Sequence, residues 1–123
     1  MSKTDHLGTY AEAWTKGEVA LHMKAAAEGF HFDDPNAGDI AKAEFPGYFA
    51  ELKATVDELR GGQAFDRFMD ITEVVVNEED DGTLTAWCWW AIPGTPIEGS
   101  GLIKVSDDGV LSEKITYYTK LPA

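Results

Sequence analysis

The sequence predicts a single α+β domain, with helices gathered in its first half and a mainly antiparallel sheet in its second. Up to the Gly61, Gly62 pair, apolar residues recur at three- and four-residue steps. Beyond it the chain turns to runs rich in β-branched and aromatic residues, separated by turn signals at Asp81 with Gly82, Pro93 with Gly94 and Asp108 with Gly109. With 123 residues, 44% of them hydrophobic, and no repeat or linker, the chain has material for one core and needs no second domain, so 1–123 is read as one unit.

Each element has its own signal. TDHLGTYAEAWTKG opens on capping residues and sets Leu7, Tyr10, Ala13 and Trp14 at helical spacing before Gly17 ends it. EVALHMKAAAEG is Ala-rich and reads as a second short helix stopped by Gly29. Residues 30–34 read as a short strand, because the position before Pro35 is pushed toward extended geometry, with a turn at Pro35, Asn36 and Gly38. The longest helix carries Phe45, Phe49, Leu52, Val56 and Leu59 on one face, with Pro46 in its first turn. Four strands follow as a meander over 65–79, 83–92, 98–106 and 110–118. Three N-terminal helices laid on a strongly curved sheet leave a cone, and its open end is a natural small-molecule pocket.

A net charge of −12 excludes the clustered Lys and Arg that a nucleic-acid backbone or an anionic membrane surface attracts. The single cysteine, Cys88, has no internal disulfide partner. The first residues, MSKTDHLGTY, lack the apolar core of a signal peptide, and no run approaches the roughly 18 apolar residues of a membrane span, so a cytoplasmic protein is expected. His6, His22 and His31 show no metal-ligand spacing, and the acidic stretch from Asp33 to Asp39 fails the calcium-loop pattern because Pro35 and Phe45 fall on ligand positions. No glycine pattern points to a nucleotide, so neither metal nor cofactor is expected.

The stretch FHFDDPNAGD carries the chemistry. Strand alternation sets Phe30, Phe32 and Asp34 on one face, and a carboxylate beside two Phe rings is desolvated toward the pKa of a general base. Equally, Asp34 suits a turn-former whose side chain bonds the backbone that follows. Tyr10 and Trp14, one helical turn apart, are pocket lining or ordinary core. Asn36 shares the parity of Asp34 and is a ligand group or a turn residue. On TAWCWWAIPG, Cys88 and Trp90 share one face and Trp87 and Trp89 the other, so both faces are apolar and both need cover. By the same parity Ile115 and Tyr117 join Trp87 and Trp89 on the convex side, where a homodimer buries the patch.

The order of elements resembles the nuclear-transport-factor-2-like (NTF2-like) superfamily, whose cystatin-like cone is shared by ketosteroid isomerases, SnoaL-like polyketide cyclases and limonene epoxide hydrolases. TYAEAWTKGEVALHMKAAAEGFHFDDPNAG is similar to the isomerases without a gap: an aromatic helix, a Gly with an acidic residue, a second helix, then a strand ending in Asp-Pro. The resemblance implies that Tyr10 stands at the donor to the substrate oxygen and Asp34 at the proton-abstracting base. It also implies dimerisation through the convex sheet face. The sequence departs from the isomerases at Gly101, which falls where they have a protonated Asp, and at Phe49, which replaces a supporting Tyr with Tyr48 one position off. Arg60 and Arg67 do not match the epoxide hydrolase pattern. Face and matching position together give a pocket of Tyr10, Trp14, Phe32, Asp34, Asn36, Phe49, Cys88, Trp90, Ile103 and Tyr118. Its ligand is expected to be a small hydrophobic or carbonyl-containing molecule. The expected function is cofactor-independent acid/base chemistry of the isomerase, cyclase or hydratase type, and the alternative is a non-catalytic binding protein.

Overall fold

The computed structural model describes residues 1–118. Helix α1 (Lys3–Lys16) starts where Ser2 and Asp5 cap each other: Asp5 N–H donates to Ser2 Oγ at 3.2 Å and Ser2 N–H to Asp5 Oδ2 at 3.1 Å. It ends at Gly17, whose φ of 71° suits glycine and whose missing Cβ would meet Phe68 at 2.8 Å. Helix α2 (Val19–Ala25) is short, and strand β1 (Ala26–Asp34) follows it directly. The expected helix stop at Gly29 is therefore corrected. Ala26 pairs with Val110 in the parallel ladder between β1 and β6 (Gly109–Tyr117), and that tertiary pairing overrides the helix preference of the alanines.

The turn after Asp34 leads into a strand that the sequence reading did not predict, β2 (Gly38–Ala41), which pairs back on β1. Helix α3 (Phe45–Leu59) buries Phe45, Phe49 and Val56. Arg60 fastens its end, donating to the carbonyls of Pro93 at 2.9 Å and Phe68 at 3.0 Å. Strands β3 (Asp70–Glu78), β4 (Leu84–Ala91), β5 (Glu98–Ser106) and β6 complete, among the described residues, a six-stranded sheet in the order β2-β1-β6-β5-β4-β3, antiparallel except between β1 and β6. The first meander strand starts at Asp70, not at 65. Register shifts in β1, β3 and β5 bend the sheet around the helices.

The helices cover one face. There Tyr10, Trp14, His22, Phe30, Phe32, Phe45 and Phe49 form one aromatic cluster with ring centroids 4.5–6.4 Å apart. His22 is fully buried in it, and neither ring nitrogen has a hydrogen-bond partner among the described residues. The Glu18 carbonyl favours its charged form only weakly, so burial dominates and holds the imidazole neutral, with its pKa pushed down to about 3. Among the described residues no helix is long and apolar enough to cross a membrane.

Candidate active site

Between α1, α3 and the covered sheet face lies an apolar cavity. Its volume is about 70 Å³. At roughly 10–15 Å³ for each water-sized position, that is room for about half a dozen waters, or a molecule of roughly ten non-hydrogen atoms. Aliphatic side chains such as Leu52, Met69, Ile71, Ile92 and Ile97 make most of the lining.

Among the described residues two buried carboxylates stand at this space, Glu113 in its lining and Asp34 behind it, and the sequence reading singled out only Asp34. Strand pairing sets Glu113 opposite both Ile103 and Phe32, hence on the helix-covered face, where it is 3% exposed. From α1, Tyr10 donates its hydroxyl hydrogen to Glu113 Oε1 at 2.5 Å and Trp14 its indole N–H to the same oxygen at 3.2 Å. The other oxygen, Oε2, lies over Gly101, where any Cβ would collide with it. The glycine at this position thus makes room for a carboxyl group from the neighbouring strand. Desolvation raises the Glu113 pKa to about 7, outweighing the two donors, which favour the charged form. Burial and the Glu113 charge together hold Tyr10 well above the ordinary tyrosine value, so it remains a neutral donor.

Asp34, also 3% exposed, ends β1 and stands behind the cavity wall. Its Oδ2 accepts hydrogen bonds from Tyr48 at 2.6 Å and Tyr117 at 2.8 Å, and both rings line the cavity. Its Oδ1 accepts the backbone N–H of Asn36 at 2.8 Å, so Asp34 is a turn-former at one oxygen and a partner of two cavity tyrosines at the other. Desolvation first, then the bonds to Asp34, push both phenols upward.

Of the expected pocket residues, Tyr10, Trp14, Phe32, Cys88, Trp90 and Ile103 line the cavity. Four expectations are corrected. Phe49 stacks on Phe45 inside the core, because the buried face of α3 runs through Phe45, Phe49 and Val56, and Tyr48 with Leu52 takes the cavity side. Asn36 lies in the turn outside, on a shallow surface depression beside Thr55 and Pro96. Tyr118 points away, half exposed, with its ring edge-on to Trp89 at 6.3 Å. Ile115 and Tyr117, expected on the convex face, instead line the cavity, because Gly101 opposes Ile115 and Gly99 opposes Tyr117 on the same face as Cys88 and Trp90. A one-residue error of parity exchanged the faces of the whole strand. The alternation Ser112, Lys114, Thr116 against Glu113, Ile115, Tyr117 was the signal that locates Glu113. Cys88 is a neutral thiol, pushed up to about 12 by burial, and is packing rather than a nucleophile.

No family model and no curated protein matches this sequence. Solved structures do match. An NTF2-like protein of unknown function from Cytophaga hutchinsonii aligns with a TM-score of 0.64 at 14% identity, covering 96% of this chain and 91% of its own. A cystatin-like fold protein from Burkholderia xenovorans aligns at 0.66 with 8% identity, covering 96% and 90%. A protein provisionally described as a polyketide cyclase, from Xanthomonas campestris, aligns at 0.60 with 17% identity, covering 96% and 90%. The fold is the one these NTF2-like and cystatin-like structures share, an α+β arrangement of helices on a mixed, mostly antiparallel sheet.

Proposed function

We propose that the protein is a cofactor-independent acid/base enzyme of the isomerase, cyclase or hydratase type, acting on a small, largely apolar carbonyl compound in the cavity. The observation that carries this reading is Glu113: a buried carboxyl group in an apolar cavity, with a pKa near 7 and one oxygen left unbonded toward Gly101. Where the resembled isomerases have a protonated Asp, this chain has Gly101, and Glu113 fills the vacated volume from the next strand. In its acid form Glu113 donates from Oε2 to a ligand carbonyl as negative charge develops there, while Tyr10 and Trp14 hold Oε1. Asp34 is the complementary base, acting through the tyrosines: Tyr48 or Tyr117 accepts a proton from the ligand or a water and passes its own to Oδ2. Neighbours described as polyketide cyclases agree with such chemistry.

The test is exchange of the α-protons of cyclohexanone in D2O, followed by NMR together with a carboxyl titration of Glu113. Faster exchange than in buffer, lost in Glu113→Gln, is expected. A Glu113 that titrates as an ordinary carboxylate, or no acceleration at any pH, sinks the reading. The second reading, a non-catalytic binding protein, is favoured by the position of Asp34 behind Tyr48 and Tyr117, outside direct reach of a ligand.

The same proposal includes a cytoplasmic homodimer formed through the convex sheet face. In support, Trp87 and Trp89 stack edge-on at 5.1 Å on that face, Trp89 remains 38% exposed, and Leu102, Tyr118 and Val75 extend the patch.

A further inference from the structure

The hydrogen bonds already made inside the cavity determine what a ligand can still find there. Three tyrosines line it, and the hydroxyl hydrogen of each is committed to a carboxylate: Tyr10 to Glu113, Tyr48 and Tyr117 to Asp34. A phenolic oxygen that donates its hydrogen retains its acceptor capacity. The Asp34 end of the cavity therefore presents two acceptors, the oxygens of Tyr48 and Tyr117, held side by side by a shared partner. Such a pair asks for a ligand hydrogen-bond donor. At the other end Oε1 of Glu113 takes both Tyr10 and Trp14, leaving Oε2 as the oxygen with capacity to spare. Phe32 pairs with Glu113, so Asp34 and Glu113 sit on the same face of neighbouring strands, offset by two residues. That offset, combined with the spacing between strands, sets their Cα atoms about 8 Å apart. The lining between the two poles is aliphatic and aromatic.

We infer that the cavity takes a small hydroxy-carbonyl compound, its hydroxyl donating to the oxygens of Tyr48 and Tyr117 and its carbonyl set against Oε2 of Glu113. This deepens the acid/base reading and rests on it for the carbonyl end alone. A ligand hydroxyl at the tyrosine pair is also where a proton can pass through a phenol to Asp34. The ligand O–H bond breaks as an O–H bond forms on the phenolic oxygen, whose own proton bonds to Oδ2; the electron pair stays on the ligand oxygen as an alkoxide, so the negative charge passes from Asp34 to the ligand.

The experiment compares 4-hydroxycyclohexanone, cyclohexanone and 4-methoxycyclohexanone as ligands of the wild-type protein at pH 6, by chemical-shift titration. The hydroxy ketone is expected to bind at least tenfold more tightly than cyclohexanone, and the methoxy ketone, which has lost the donor, no more tightly than cyclohexanone. In Tyr117→Phe, and separately in Tyr48→Phe, the ratio of hydroxy-ketone to cyclohexanone affinity is expected to fall severalfold. Affinities within threefold of one another for the three ketones, no binding of any of them, or a hydroxyl preference untouched in both variants overturns the assignment. Proton exchange on cyclohexanone, read in the wild-type samples, keeps the two ideas apart. Exchange without a hydroxyl preference sinks the ligand assignment and leaves the enzyme. A hydroxyl preference without exchange does the opposite.

Discussion

Replacing Glu113 by Gln tests the electrostatics of the site without needing a substrate. In the unfolded chain this carboxyl group titrates near 4.5, and burial moves it to about 7 in the fold. Between those values the folded state holds a proton that the unfolded state has lost, so stability falls as pH rises. At about 1.4 kcal/mol per pH unit, the burial of Glu113 makes the fold about 3 kcal/mol less stable above pH 7 than below pH 4.5. Glutamine keeps the size of the protonated acid and can still accept from Tyr10 and Trp14, but it never ionises. The variant should match the wild type at pH 4.5 and exceed it at pH 8 by up to about 3 kcal/mol, or about 10 °C in melting temperature for a chain of this length. Urea unfolding of both proteins at pH 4.5, 6 and 8 measures the difference directly. Stability curves that run parallel across this range would refute the reasoning, because they would mean that Glu113 titrates alike in both states.

His22→Phe reports on the core with the opposite sign: the unfolded imidazole takes a proton below about 6.5 and the folded one only near 3, so the wild type loses stability as pH falls through that window. At pH 4.5 the variant is expected to gain about 3 kcal/mol relative to the wild type compared with pH 7, by thermal melts at both values. Gly101→Ala places a methyl group where Glu113 Oε2 lies, so the Glu113 titration should shift and the melting temperature fall, by NMR and calorimetry. Cys88 should resist a thiol reagent at pH 8 in the native protein and react at once in denaturant, since it is buried and its thiol is pushed up to about 12. A double Trp87→Ser, Trp89→Ser variant should run as a monomer by light scattering where the wild type runs as a dimer, and a clean monomer mass for the wild type defeats the homodimer.

The elements were legible wherever a local pattern carries them. The first helix, the face of Tyr10, Ala13 and Trp14, the glycine stop at Gly17 and the turn pairs between strands are decided by residues within a few positions of one another, although the helix is capped at Ser2 and not from Thr4 as its capping residues suggested. The strand carrying Asp34 was legible for the same reason, although its start at Ala26 was not, because only the distant ladder with β6 holds those alanines extended. The candidate site was read by half. Tyr10, Trp14 and Asp34 were visible from spacing and from the resemblance, whereas Glu113 was not. On the last strand Tyr117 and Tyr118 are both aromatic, so the inward tyrosine could be chosen either way, and choosing Tyr118 turned Glu113 and Ile115 outward. The pairing of Gly99 with Tyr117 and of Gly101 with Ile115 decides the matter, and that pairing is a contact between strands. Burial of Glu113 further depends on Tyr10 and Trp14, about a hundred residues away along the chain, and on a neighbour with no side chain at Gly101. Periodicity within a segment determines which residues share a face, but only the packed tertiary structure determines which face is dry, and a carboxyl group acquires its unusual acidity from the dryness.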